Sequence, residues 1–216
     1  MTDLQNVKWI KNYLSKKDFD KIEESVKQAE LLTSGEIVPM IVKSSSTVGH
    51  VPIILFILSL LIVTLGKIYF ELYFSTYWIF VSVVFVLLFT KVLSSFNFVL
   101  RFFTTKQDQS SQVLLRAQLE LETSNIKNTK DNTGVLIFVS LLEKQVCVLA
   151  DKAISRHFKN EDWKVVVNLI LKGLKNKNMA QGFEDGILKC GDLLKEKFPI
   201  QKDDTNELEN HLIIKE

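Results

Sequence analysis

The sequence predicts a mixed α/β (α+β) domain, a small β-sheet packed with helices, interrupted by a two-helix transmembrane hairpin. Three observations carry this. Between Val51 and Thr90 lie two strongly apolar runs, and the only charges, Lys67 and Glu71, fall between them. Three short β-branched segments stand at 36–43, 133–141 and 146–151. Around them apolar residues recur at spacings of three and four, the period of helices that bury one face.

The 216 residues suffice for one ordinary domain and a membrane element: about 40 go to the hairpin and roughly 175 remain for soluble structure. The hydrophobic fraction of 47% is near the globular average, so apolar character is concentrated, not diffuse. A net charge of +2 without a basic stripe speaks against nucleic acid as a partner. Cys147 and Cys190 have no CxxC spacing and lie in apolar-periodic surroundings, the setting of reduced core thiols. The N-terminal residues carry charge without the continuous apolar core of a signal peptide, so export of this part is not expected.

In chain order, Val7, Trp9, Ile10, Tyr13 and Leu14 suggest a short helix or an arm packing on the domain. Ser15 to Asp18 reads as a capping box opening a helix with Phe19, Ile22, Val26 and Ala29 on one face. Gly35 is expected to end that region in a left-handed conformation. The strand from Glu36 to Lys43 is nearly continuous in apolar character, as when both faces are covered. Pro39 lacks an amide donor and argues for an edge position or a bulge.

The first apolar run, Val51 to Gly66, spans about 16 residues and fills a bilayer core of about 30 Å only if Lys67 snorkels and Ile68 to Phe70 join it. The second, Leu72 to Thr90, is uncharged over about 19 residues. Tyr69, Phe70, Tyr73, Tyr77 and Trp78 gather at the turn, where an interfacial aromatic belt belongs. Lys43 precedes the pair, and Lys91, Arg101 and Lys106 follow it, which places both soluble parts in the cytosol and the turn outside.

After Thr90 the helical spacing continues through Val92, Phe96, Val99 and Phe103, and a further helix runs from about Gln109 to Thr123. Thr133 to Leu141 reads as a buried central strand, with Val146 to Asp151 as its hairpin partner. Asn160 is expected to cap a helix whose apolar face is Trp163, Val166, Val167, Ile170, Leu171 and Leu174. The last helix turns Phe183, Ile187, Cys190, Leu194 and Phe198 inward, with Gly182 and Gly186 permitting close backbone approach. The predicted organisation is therefore 1–48 as helix and first strand, 49–91 as hairpin, 92–200 as the rest of the domain, and 201–216 as a loosely held acidic tail. A three-stranded sheet results, with its first strand on the far side of the hairpin from the other two.

The segment Ala29-Glu30-Leu31-Leu32-Thr33-Ser34-Gly35-Glu36-Ile37 resembles the opening motif of TPM domains, and Thr133 to Ser140 resembles their central strand. Val148-Leu149-Ala150-Asp151, Trp163, Phe198-Pro199 and Asn206-Glu207-Leu208 follow in the same order. Pro39 and Glu209 depart from the pattern. The resemblance, to the small membrane-associated bacterial branch, implies a sheet with helices packed on it. It also implies several activities: a plant thylakoid relative is described as an acid phosphatase in photosystem repair, some relatives bind calcium, and an animal relative modulates a receptor.

Chemistry is sparse. His50, His157 and His211 have no ligand spacing, and no GxSxG, HExxH, P-loop or CxxC pattern occurs. The candidate site residues are Asp151, which ends a strand and matches the family's strand-terminal aspartate, and Glu36, which opens one. An aspartate there also serves as a plain helix cap. Two carboxylates with backbone carbonyls and water would bind Ca²⁺ or Mg²⁺ weakly, and Asp203, Asp204 and Glu207 would add charge if the tail folds back. Cys147 in an apolar strand is an inert thiol and not a nucleophile. The expected function is a membrane-tethered interaction or assembly module, partnered by the lipid bilayer, another membrane or membrane-associated protein, or a second copy of itself through the hairpin. The alternative is a divalent-metal-dependent phosphatase.

Overall fold

The three β-branched runs form three strands of one sheet, and a fourth strand joins them from the C-terminal tail. This is a computed structural model that describes residues 8–45, 50–69, 76–96, 99, 102, 104–201 and 205–216. The helices are α1 (Lys16–Glu30), α2 (His50–Tyr69), α3 (Thr76–Leu93), α4 (Lys106–Thr123), α5 (Lys152–Ser155), α6 (Lys164–Lys175) and α7 (Met179–Leu194). The strands are β1 (Glu36–Val42), β2 (Gly134–Ser140), β3 (Gln145–Ala150) and β4 (Ile213–Lys215), in the order β3-β2-β1-β4. Residues 1–45 and 113–216 make one compact unit, and residues 46–112 make another.

In the first unit β1 runs parallel to β2, with Glu36 opposite Gly134 and Val42 opposite Ser140. β3 returns antiparallel on β2, and β4 lies parallel to the end of β1, with Met40 opposite Ile213. Every residue of β1 and β2 is buried, which is why both lack a polar alternation. One sheet face, with Ile37, Ile41, Val135, Ile137 and Val139, shares a core with α1, α6 and α7. The other, with Val38, Met40, Val42, Leu136 and Phe138, is covered by Val113, Ala117 and Leu121 of α4 and by Ile126. Ile10 and Leu14 are buried in the first core, so the N-terminal arm does pack on the domain. α6 and α7 meet backbone to backbone: a Cβ on Gly173 would come within 2.5 Å of the Gly182 Cα.

Several expectations need correction. The tail is not loosely held, since β4 makes a fourth strand and buries Leu212 and Ile214. It follows that β1 is not an edge strand along its second half. Pro39 is accommodated for a different reason. The Glu36 N–H bonds to the Thr133 carbonyl on the β2 side, whereas the Lys43 N–H bonds to Lys215 on the β4 side. Odd-numbered amides of β1 therefore face β4, and Pro39 stands just before the pairing that begins at Met40. Its missing donor falls where no partner strand runs. Gly35 is not left-handed, because no glycine among the described residues has a positive φ. It is small for packing, since a Cβ there would sit 3.0 Å from the Leu194 side chain. Asn160 does not cap α6, which starts at Lys164 after turns in which the Asp162 carboxylate accepts the Lys159 N–H at 2.7 Å. α3 itself ends at Leu93 and residues 94–96 leave the helix; of the helix expected onward, Val99 and Phe102 are helical and residues 97, 98, 100, 101 and 103 lie outside the described set.

In the second unit α2 and α3 pack on each other. Val51, Leu55 and Val86 are buried, while Ile53, Ile57, Ile62, Phe80, Phe85 and Leu88 are exposed. Among the described residues no helix is long and apolar enough to cross a membrane; the stretches of these two helices with described side chains are 51–66, 68–69 and 80–93. Residues 70–75, which hold most of the expected turn, also lie outside the described set.

Candidate functional site

Glu36 and Asp151 stand on one face and at one end of the sheet. Glu36 is opposite Gly134 on β1. Continuing the β2–β3 register past Val135 and Ala150 sets Asp151 opposite Gly134 on the other side, and the Asp151 N–H donates to the Gly134 carbonyl at 2.8 Å. Two strand spacings separate them, so their Cα atoms are roughly 10 Å apart. Gly134 between them has no side chain because the chain folds down onto it: a Cβ there would meet the Ile126 carbonyl oxygen at 2.1 Å. The segment that descends is shaped by Asn125 and Asn132, at φ 58° and 56°, a conformation asparagine tolerates well. Thr129 and Thr133 are buried inside it, with the Thr133 N–H donating to Thr129 Oγ1 at 2.9 Å.

The Glu36 carboxylate is engaged. It accepts the main-chain N–H groups of Glu207 at 3.1 Å and Leu208 at 3.3 Å. The Glu207 carboxylate in turn accepts the Lys130 N–H at 2.7 Å, joining the tail to the segment above Gly134. Asp151 is 2% exposed. Its Oδ1 accepts the Lys152 N–H at 2.6 Å and caps α5, the structural role open to an aspartate at a strand end. Its Oδ2 is buried and has no hydrogen-bond partner among the described residues.

Asp203 and Asp204 lie outside the described residues, as does the side chain of His50. His157 meets the Phe198 ring edge-on at 5.5 Å. Among the described residues no group of three or more His, Cys, Asp or Glu side chains could hold a metal ion. Cys147 and Cys190 are free thiols, and burial pushes Cys147 up to about 12.

Sequence reasoning missed Glu30 and the way the separate motifs meet. One Glu30 carboxylate oxygen accepts the Ile37 N–H at 2.9 Å and the other accepts from the Asn210 side chain. Thr33 Oγ1 donates to the Phe198 carbonyl at 2.6 Å, and Thr33 pairs with Pro199 in an isolated bridge. The opening motif thus holds the closing one, through Thr33 to Phe198-Pro199 and through Glu30 and Glu36 to 207–210. The signal was available in the order of the motifs, but contact across such a separation is not periodic and leaves no local trace.

Residues 95–193 match the family profile described as TPM domain. A solved structure, the BA42 protein from the psychrophilic bacterium Bizionia argentinensis sp. nov., is similar in fold, with a TM-score of 0.59 and 23% identity over 94% of this chain and 96% of that one. No curated protein matches. Over residues 95–193 the chain is similar to the TPM domain family, and its fold is similar to that of the BA42 protein.

Proposed function

We propose that this chain is a membrane-tethered TPM domain acting as an interaction and assembly module at the cytosolic face of an inner membrane. The observation that carries this is the helix pair inserted between β1 and α4. α2 and α3 are 20 and 18 residues long, which at 1.5 Å per residue is about 30 and 27 Å, the thickness of a bilayer core. Neither has an acidic residue in its first turn, and large aliphatic and aromatic side chains are exposed along both. Water would not tolerate an apolar surface of that extent on a lone domain. Among the described residues, Thr64 donates to the Leu61 carbonyl at 2.9 Å and Thr90 to that of Leu87 at 3.0 Å, the in-helix bonds a lipid surround favours. Both ends of the pair return to the same domain, which two tethers would hold against the membrane.

The test is extraction of membranes by alkaline carbonate. The intact chain should stay in the pellet, and a chain with 51–90 replaced by a short Gly-Ser linker should be released. Release of the intact chain would overturn the tether. A Ser75→Cys label reacting only from outside the cell checks the orientation.

A second reading, a divalent-metal-dependent phosphatase, is favoured by one observation: the buried Oδ2 of Asp151 without a partner. Phosphomonoester hydrolysis by the purified protein, supplied with Mg²⁺ or Ca²⁺ and abolished in Asp151→Asn, would establish it. Equal trace activity in both proteins would dismiss it.

A further inference from the structure

We propose that the outer edge of β3, beneath α6, receives an extended acidic segment of another protein as a fifth strand of the sheet. The two sides of the sheet differ. The β1 side takes up the chain's own β4, whereas β3 ends the sheet. Because the Asp151 N–H bonds to Gly134, the amides of Leu149, Cys147 and Gln145 also turn toward β2, and the N–H and C=O groups of Val146, Val148 and Ala150 turn outward. Among the described residues none of these outward groups has a hydrogen-bond partner outside its own strand pair. β1 and β2 are buried throughout, but five of the six β3 residues are half-buried. The strand carries no proline, charge or bulge of the kind that blunts an edge.

Above the edge lies α6. Gly173 and Ile170 face α7, and Trp163, Val167 and Leu174 enter the core. Helical spacing then sets Lys164, Leu171 and Lys175 on the flank away from α7, over the outer side of β3. Lys144 and Lys152 stand exposed at the two ends of the strand. Nearby acids are already used: Asp151 caps α5, Asp162 holds the Lys159 N–H, and Ser45 bonds to Glu143. Among the described residues only Glu161 approaches Lys164, at 4.0 Å with both side chains well exposed, a weak pair. The rim is therefore basic. A strand lying here would gain the outward main-chain bonds of β3, set apolar side chains against Cys147 and Leu149, and place carboxylates near the four lysines, the mode of β-augmentation.

This gives the interaction module proposed above a docking site, and its test is independent of membrane extraction and of phosphoester hydrolysis. The full chain in nanodiscs is titrated with a fluorescein-labelled hexapeptide of alternating Val and Glu, and with its Val and Lys counterpart. The acidic peptide should bind and the basic one should not. Binding should slow amide exchange at Val146, Val148 and Ala150. Val146→Pro removes one outward donor, which the fold itself does not use, and should weaken binding by about tenfold at the usual worth of a hydrogen bond. Lys164→Glu with Lys175→Glu, both on the exposed flank, should abolish the charge preference without lowering thermal stability. Equal binding of both peptides, unchanged exchange at the three amides, or their protection by self-association without peptide would each overturn the proposal.

Discussion

The two ends of the central strands use the same device for different purposes. At the end where β1 and β2 begin, Glu36 accepts two main-chain amides of the tail. At the end where they finish, Glu143 accepts the Ser45 N–H at 3.2 Å and hydroxyl hydrogens from Ser44 and Ser140, just where the chain leaves for the inserted helices. Ser45 Oγ closes that cluster by donating to Ser140 Oγ at 2.8 Å. Both carboxylates are buried and both hold backbone that belongs to no helix. They differ in what can leave. The tail beyond 205 can peel away into water, whereas Ser44 and Ser45 continue directly from β1 and cannot retreat without disturbing it.

That difference predicts unequal costs. Glu143→Ala should be the most damaging, because it strands a buried N–H and buried hydroxyls; a loss of about 3 kcal/mol of global stability is expected in urea unfolding. Glu36→Ala should cost less, about 1–2 kcal/mol, since the freed amides find water. Its signature should be local. Amide exchange should quicken at Glu207, Leu208 and through β4, while Val135 to Val139 stay protected. A uniform loss of protection in Glu36→Ala, matching that of Glu143→Ala, would remove the distinction between a peeling segment and a fixed one.

Both clamps bear on what a sequence discloses. The stripes of α1, α6 and α7 were legible because burial repeats with the period of the helix, and β1 and β2 because a strand covered on both faces reads as a continuous apolar run. β4 was not. It has only three residues, it follows an acidic linker, and its pairing to β1 was set by carboxylates far away in sequence, Glu30 and Glu36. Asp151 could be singled out by its place at a strand end, and its capping of α5 was the ordinary alternative. Glu143 was not singled out, because nothing in Glu143-Lys144-Gln145 shows that this segment bonds to Ser45. Composition alone made the tail look loose, although Lys215 reaches Glu120 across the sheet edge.

The Glu120 contact gives the next smaller effect. Burial works to raise the Glu120 carboxyl, but the hydrogen bond and charge of Lys215, with Arg116 at 2.9 Å, outweigh it and hold the group below its ordinary value of 4.5. A carboxyl depressed in the folded state stabilises above its unfolded value and loses that contribution as the pH falls through the folded one. Protection of the β4 amides should therefore be level from neutral pH down to about 5 and then decline on further acidification. Glu120→Gln should show weaker protection at neutral pH, lack this part of the decline, and converge with the wild type in acid. If the wild-type tail stays equally protected well below the ordinary carboxylate range, the Lys215 pair does not hold it.

The smallest effect sharpens the comparison at Pro39. Because its nitrogen faces β4's side just ahead of the first pair, Pro39→Val would restore an N–H with no strand opposite it. The β2 side loses nothing, since Pro39 bonds there through no amide of its own. A stability change within about 0.5 kcal/mol is expected in the urea midpoint, with the β4 amides unaltered. Were β1 an ordinary edge strand kept open by its proline, the same substitution would lengthen β4 toward His211 and slow exchange there. Unchanged exchange at His211 and Leu212 would instead mean that the carboxylates at 30 and 36, which grip the chain at 207, 208 and 210, decide where β4 begins.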